Sequence, residues 1–400
     1  MNYLKDKNIV LGICGGIAAY KNCELVRNLV KEEASVQVVM TKNATRFITP
    51  LTLHTLSGRK VAVDQYDLEM GSGISHIEIA DNADLVIITP ATASFIGRIA
   101  SGIADNLLST VIMATQAPVM FCPSMNVNML DNPAVQENIQ KLLKYGYKII
   151  QPGEGYLACG WEGKGRMPDI PVIVSEMERM LAPKDLSGKK ILITTGPTRE
   201  YIDPARYISN PSTGKMGFSL AKAAWLRGAS VTTISGQTTV EPPNGIRNIK
   251  VTSAKDMYEE VMKQADNYHI IIKTAAVSDY TPVKTNKSKI KKDQDNMSLE
   301  MKRTTDILSE LGKNYTGKII VGFAAETNDI VSHSIKKIRE KNLDLIVAND
   351  ISNKQAGFGS DLNKVSIIDR KSNVTEIPLM SKDDVAHRIL DSIINLAKGS

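Results

Sequence analysis

Cysteine is scarce in this 400-residue sequence: Cys14, Cys23, Cys122 and Cys159 are the only four, and none falls in a CxxC pair. That removes a disulfide framework and a paired-thiolate metal or redox motif, and reduced thiols in a cytoplasmic protein are expected. Long apolar runs are missing too. None approaches the roughly 20 residues of a membrane span, and Met1-Asn-Tyr-Leu-Lys5 has no signal-peptide core, so no membrane partner is expected. Aromatic residues make up only 5%, and the lysine-rich stretch Lys284–Arg303 has none, its charge diluted by Asp293, Asp295 and Glu300. Nucleic-acid binding, which wants stacking rings in an unbroken basic field, is not expected. The formal charge of +6 is modest and fits sites for small anions better. What remains, 42% hydrophobic and 23% charged, is an ordinary soluble composition. The chain is too long for one core and suits two domains.

It also begins twice. Asn8–Leu11 reads as a buried strand, followed by Gly12-Ile-Cys-Gly15-Gly16 and a run of helical period with Leu25, Val26, Leu29 and Val30 on one stripe. Near the midpoint Ile191–Thr195 leads to Gly196 and then to Ser209-Asn-Pro-Ser-Thr-Gly-Lys-Met-Gly217. A strand that breaks at glycine and feeds a helix directs free amides and a helix dipole at the break, which suits phosphate. Further strands are expected at Val36–Met40, Leu85–Thr89, Val119–Cys122 and Lys148–Ile150, then at Ser230–Ile234, His269–Lys273, Ile319–Phe323 and Asp344–Ala348. Their alternation with helices predicts two α/β domains of three-layer, Rossmann-like architecture, with ligand groups at the carboxyl ends of the strands. The aperiodic Leu181–Gly188 marks the boundary, giving residues 1–182, a linker at 183–188, and residues 189–400. Lys284–Arg303 is expected to be a loop, either a solvated charged run or a lid ordered on binding.

In the first half the glycine order is not GxGxxG and no acid ends the second strand, so a mononucleotide phosphate at Gly15, Gly16 and Thr41 is favoured over a dinucleotide. A tight structural turn is an equal reading of Gly15-Gly16. His76 alone reads as structural, and Asn126 after Pro123-Ser-Met reads as an Asx turn or a carboxylate ligand. Cys159 lies in Gly153–Arg166, a segment with five glycines that looks like a flap. Taken together, Gly12–Lys21, His76-Ile, Thr89-Pro-Ala-Thr-Ala93, Ala104-Asp-Asn-Leu-Leu108, Pro123–Met129 and Ala158-Cys-Gly160 resemble the flavin-dependent cysteine decarboxylases. That resemblance implies an N-terminal flavoprotein domain with FMN at Gly15, Gly16, Thr41, Pro90, Ala91 and Thr92, bound between subunits of a trimer. The implied substrate is 4′-phosphopantothenoylcysteine. Thiol oxidation creates the electron sink that loss of CO₂ needs, and re-reduction gives 4′-phosphopantetheine. His76 is then the base, Asn126 holds the carboxylate, and Cys159 returns a proton. Cys14, Ser94-Phe95 and Leu130 depart from the usual family pattern.

In the second half Pro211-Ser-Thr-Gly-Lys215 lacks Walker spacing and is not expected to follow a strand directly. Thr194–Glu200, Ile202–Arg206, Ile208–Gly217, Lys273–Asp279, Lys289-Ile-Lys-Lys292, Gly322–Thr327 and Lys341–Asp350 resemble phosphopantothenate–cysteine ligase. The resemblance implies that 4′-phosphopantothenate is activated by CTP as an acyl-cytidylate, which cysteine then displaces. By the same resemblance Asn210 holds the acyl group, Lys289 and Mg²⁺ offset phosphate charge, and Asp279 serves the nucleotide or its Mg²⁺. Ala275, Asp306 and Phe323 line the base pocket, and Lys337 and Lys341, one turn apart, face phosphates. The two resemblances together imply trimeric decarboxylase and dimeric ligase contacts on one chain, which would close into a dodecamer. The alternatives are a dinucleotide-dependent oxidoreductase and a non-catalytic flavin-binding regulatory subunit. The latter would need lost catalytic residues, whereas His76, Asn126, Cys159, Asn210 and Lys289 are all present.

Overall fold

The computed structural model describes residues 1–66, 75–156, 160–291, 297–326, 330–350, 357 and 359–398. They divide into two compact units, residues 2–182 and residues 183–400 with Met1.

In the first unit, β1 (Asn8–Ile13), α1 (Asn22–Lys31), β2 (Ser35–Met40), α2 (Pro50–Ser57), α3 (Ser75–Asp81), β3 (Leu85–Ala91), α4 (Ala93–Ala100), α5 (Leu107–Ala114), β4 (Val119–Pro123), α6 (Val127–Leu130), α7 (Pro133–Lys144) and β5 (Lys148–Ile149) alternate. The five strands form a parallel sheet in the order β2-β1-β3-β4-β5. Ile9, Leu11 and Ile13 point to one face and Val10 to the other, the period-two pattern of a strand buried on both sides. One face is covered by α1 and by α8 (Ile170–Leu181), through Leu25, Val26, Leu29, Ile173 and Met177. The other is covered by α4, α5 and α7 through Phe95, Ile99, Leu108, Ile112 and Leu142. Val30 leaves the expected stripe and is exposed, while Asn22, at the start of the same helix, is buried and donates to the Thr89 carbonyl at 2.8 Å. The glycine turn enters α1 through a 3₁₀ turn, Ile17–Lys21, rather than directly. Before α8 comes an antiparallel hairpin, β6 (Gly153–Tyr156) with β7 (Glu162–Arg166).

The second unit contains β8 (Lys190–Thr195), the hairpin β9 (Arg199–Asp203) and β10 (Arg206–Ser209), α9 (Lys215–Leu226), β11 (Ser230–Ser235), β12 (Arg247–Lys250), α10 (Ala254–Ala265) and β13 (Ile270–Lys273). It continues with a short pair, β14 (Tyr280–Pro282) and β15 (Met301–Arg303), then α11 (Ile307–Asn314), β16 (Ile319–Glu326), α12 (Ile330–Glu340), β17 (Leu345–Asp350), β18 (Leu362–Asp369), β19 (Val374–Ser381) and α13 (Lys382–Lys398). The sheet order is β12-β11-β8-β13-β16-β17-β18-β19, parallel as far as β17 and antiparallel beyond. One face packs on α10 and α11 through Met257, Val261, Ile307 and Leu311. On the other, α9 lies along β8 and β11 and packs against α13. Two expectations are corrected by β9–β10. Gly196 does not lead straight into a helix, and Asn210-Pro211 does follow a strand, though one outside the main sheet. Buried polar residues on β9, Glu200 and Asp203, and exposed or half-exposed ones on β10 hide both strands from an apolar pattern.

Candidate functional sites

A doubly wound sheet opens a crevice where neighbouring strands send their chains to opposite faces. In the first unit that point lies between β1 and β3. Gly15 and Gly16 follow β1, Thr41 follows β2, Pro90 and Ala91 end β3, and Thr92 caps α4 by accepting the Phe95 amide at 3.3 Å. Thr41 is fixed by its amide on the Ile13 carbonyl at 3.0 Å. The two glycines differ. A Cβ on Gly15 would lie 2.6 Å from Asn43 Cβ, so its own chain forbids a side chain there. A Cβ on Gly16 would meet only Pro90 and Thr92, at 3.7 and 3.8 Å, and Gly16 is extended. Packing leaves room at Gly16 in a cradle floored by Pro90 and Thr92, which fits a flavin phosphate or ring edge. Exposed apolar residues surround these turns: Ile17, Tyr20, Phe47 and Leu51.

Asn126 sits just past β4, and its Oδ1 accepts the Asn128 amide at 2.9 Å, capping α6. The β6–β7 hairpin is laid on this loop. Gly165, at φ +140°, gives its carbonyl to the Met125 amide at 3.0 Å, and a Cβ there would lie 2.2 Å from the Met125 oxygen. Glycine is obligatory at that approach. Cys159 belongs to the segment joining these strands and lies outside the described residues. His76 is half-buried in the first turn of α3. Cys14 and Cys122 are fully buried, and burial pushes the Cys14 thiol up to about 12, so neither is a nucleophile.

In the second unit the crossover lies between β8 and β13, and a cavity of about 710 Å³ opens there. It brings together Asn210, Ala275, Asp279, Asp306, Phe323, Lys337 and Lys341, residues far apart in sequence. Asn210 Nδ2 donates to the Ala276 and Val277 carbonyls at 3.1 and 3.3 Å, tying the turn after β10 to the turn after β13. Asp306 caps α11 on the Ser309 amide and ion-pairs with Lys341 at 2.7 Å. Burial works against that carboxylate, but Lys341 and the Ser309 amide outweigh it and hold its pKa below the usual range. Gly217 packs so tightly on Thr195 that a Cβ would lie 2.2 Å from its Oγ1.

Lys289 is not brought to this cavity. It is exposed beside Ile290, whose amide donates to Asp203 at 3.1 Å and whose carbonyl accepts from Arg206 at 2.9 Å. The buried Asp203 carboxylate, held well below its ordinary pKa by Arg206, pins the start of the loop to β9–β10. Other lining residues escaped the sequence reading. Lys273 points into the cavity, and burial lowers its pKa to about 8. Asn349 Oδ1 is buried there with no hydrogen-bond partner. Lys215 and Lys382 stand at helix starts. Lysine in the first turn of a helix, against the dipole, is the signal that would have found the last two. Among the described residues no cluster of three metal-ligating side chains occurs, and the free carboxylate in the cavity, Asp279, suits an ion carried largely by phosphates.

Residues 2–182 match the flavoprotein family and residues 186–396 match the DNA/pantothenate metabolism flavoprotein C-terminal domain family. The chain is 49% identical to the coenzyme A biosynthesis bifunctional protein CoaBC of Bacillus subtilis (strain 168), over 99% of this chain and 98% of that one. It is 46% identical to the protein of the same name from Vibrio cholerae serotype O1, over 98% and 99%. A crystal structure of the C-terminal domain of a CoaBC protein covers 54% of this chain and all of its own, at 40% identity and a TM-score of 0.48.

Proposed function

The chain belongs to the bifunctional coenzyme A biosynthesis family, and from that premise we propose how its two domains divide the work. The C-terminal domain couples 4′-phosphopantothenate to cysteine at the expense of CTP, and the N-terminal flavoprotein domain decarboxylates the product to 4′-phosphopantetheine. The carrying observation is the cavity at the β8/β13 crossover, where Asn210, Asp279, Asp306, Lys337 and Lys341 converge on a space large enough for a nucleotide and an acid together.

A carboxylate is a poor acyl donor, so its oxygen first attacks the α-phosphorus of CTP, and pyrophosphate leaves. Lys337 and Lys341 offset phosphate charge, and Ala275, Asp306 and Phe323 frame the base. Mg²⁺, when bound, would be held by Asp279 and the phosphates. Asn210, locked on two carbonyls, orients the acyl group for the cysteine amine. Lys289 precedes Ile290, which is tied to the β9–β10 hairpin, and one face of that hairpin exposes the paired rings of Tyr201 and Tyr207. A second copy docked on that face would bring its Lys289 to this chain's phosphates, which accounts for its distance from its own cavity.

In the N-terminal domain FMN, held by Gly15, Gly16, Thr41, Pro90, Ala91 and Thr92, would supply a two-electron acceptor and return donor beside the substrate thiol. His76 takes the thiol proton as the adjacent carbon gives up its hydride, Asn126 orients the carboxylate, and Cys159 Sγ returns a proton to the product. The apolar rim of Ile17, Tyr20, Phe47 and Leu51 supports a site completed by another copy. Trimeric contacts here and dimeric contacts in the ligase domain would close a dodecamer.

The purified chain should carry FMN. With 4′-phosphopantothenate and CTP it should release pyrophosphate, and CO₂ should follow only after cysteine is added. A nicotinamide cofactor in place of flavin, or pyrophosphate release indifferent to 4′-phosphopantothenate, would refute the assignment.

A further inference from the structure

Two helices of the C-terminal domain begin on lysine, and both lysines line the large cavity. Lys215 is the first residue of α9 and Lys382 the first of α13. A helix start carries partial positive charge, so a lysine there is electrostatically misplaced. Lys382 is also buried, only 8% exposed. Its ammonium donates to the Ser360 carbonyl, and among the described residues no carboxylate pairs with it. Asp361 pairs instead with Lys215 at 2.7 Å and is itself largely exposed. Burial and then the charge of Lys215 push the Lys382 pKa below its ordinary value. Gly214 caps α9 without any side-chain hydrogen bond to the helix amides. Asp361 lies between the two ammonium groups, and Asp383 and Asp384 in the first turn of α13 and Glu241 in the second cavity are the other acids near them, but none of these pairs with the buried Lys382. A buried ammonium held only by a carbonyl is costly unless an anion completes its site.

Both lysines also line a second cavity of about 400 Å³, with Phe218, Lys222 and Glu241, so they form the wall common to the two spaces. We propose that Lys382, with Lys215, forms the subsite that holds the terminal phosphates of the nucleotide and grips pyrophosphate as it departs toward the second cavity. This rests on the ligase reading above. In the step concerned, a carboxylate oxygen of the acid forms a bond to the α-phosphorus, and the bond from that phosphorus to its bridging oxygen breaks. The electron pair leaves with pyrophosphate, with no proton or electron exchanged with the protein. A fixed ammonium at the leaving group offsets the charge that grows there.

The test uses the full chain and inorganic pyrophosphate as the calorimetric probe. Lys382→Gln should weaken pyrophosphate binding by about tenfold or more, the worth of a charge-assisted bond. Acyl-cytidylate formation from 4′-phosphopantothenate and CTP should slow by a similar factor. Aminolysis of pre-formed acyl-cytidylate by cysteine should be unchanged, because pyrophosphate has already gone. Lys382→Arg should recover part of the affinity. Asp361→Asn frees Lys215 and should tighten pyrophosphate binding, a gain that misfolding cannot imitate. Unchanged affinity in Lys382→Gln, equal loss of both chemical steps, or weaker binding in Asp361→Asn would overturn the subsite. If the wild-type chain binds pyrophosphate through Lys382 yet forms no acyl-cytidylate, the ligase reading fails and the anion subsite stands.

Discussion

His387 shows how burial and nearby positive charge fix a charge state. It lies in α13, only 3% exposed, and burial together with Arg227 holds its imidazole down to about 4. The unfolded chain binds that proton near pH 6.5, where the folded one cannot. The stabilisation is therefore complete above about pH 6.5 and is lost as pH falls from there toward 4, up to about 3 kcal/mol. Urea unfolding of the C-terminal domain, followed through buried Trp225, should show that loss between pH 7 and pH 4.5, and His387→Gln should flatten it. An identical pH slope in the variant would assign the effect elsewhere. Asn210 offers a second test at this scale. Asn210→Asp replaces a donor facing two carbonyls by an acceptor, so the turn that orients the acyl group must shift. Acyl-cytidylate should still form but react slowly with cysteine, whereas Lys289→Gln should stop pyrophosphate release. Should Asn210→Asp block that release as fully, Asn210 acts in the first step.

At the scale of elements, what was legible depended on how much of the signal was apolar. The central strands announce themselves as runs such as Ile191–Thr195, buried on both faces, and their expected positions agree with the sheet to within a residue or two at most ends. Val30 misled because an apolar side chain on a helix costs little when exposed, so the stripe is wider in sequence than in space. The hairpins β6–β7 and β9–β10 carry glycine, charge and exposed tyrosine, so periodicity could not show them. Lys289 looked like a cavity residue because a motif fixes residue type, not which way its loop is pinned. Asp203 and Arg206 decide that direction through hydrogen bonds between residues more than eighty positions apart. The glycines of the flap were legible as a flap but not individually. Gly165→Ala separates them: its Cβ meets the Met125 oxygen, and its φ suits only glycine. Decarboxylation should fall by about tenfold or more as the hairpin lifts from the Asn126 loop, with CTP-dependent pyrophosphate release unchanged. Equal loss of both activities would mean that the flap supports the whole chain rather than one site.

For the whole molecule the question is where each copy's Lys289 acts. Its pinned loop and the exposed face of Tyr201 and Tyr207 support a ligase site shared between two copies. Sharing has a consequence that no single-chain site can reproduce. Lys289→Gln alone and Asp279→Asn alone should each lose pyrophosphate release. Refolded together at equal amounts, the two chains pair at random, and half of the dimers are mixed. In a mixed dimer one cavity combines an intact Asp279 with the partner's intact Lys289, while the other has neither. About a quarter of wild-type activity should therefore return. A lysine acting on its own chain's cavity leaves every site with one defect, whatever the pairing. Recovery near a quarter would assign Lys289 to the neighbouring site. A mixture as inactive as its parents would place it in its own, and the Asp203–Arg206 pin would then have to release during turnover.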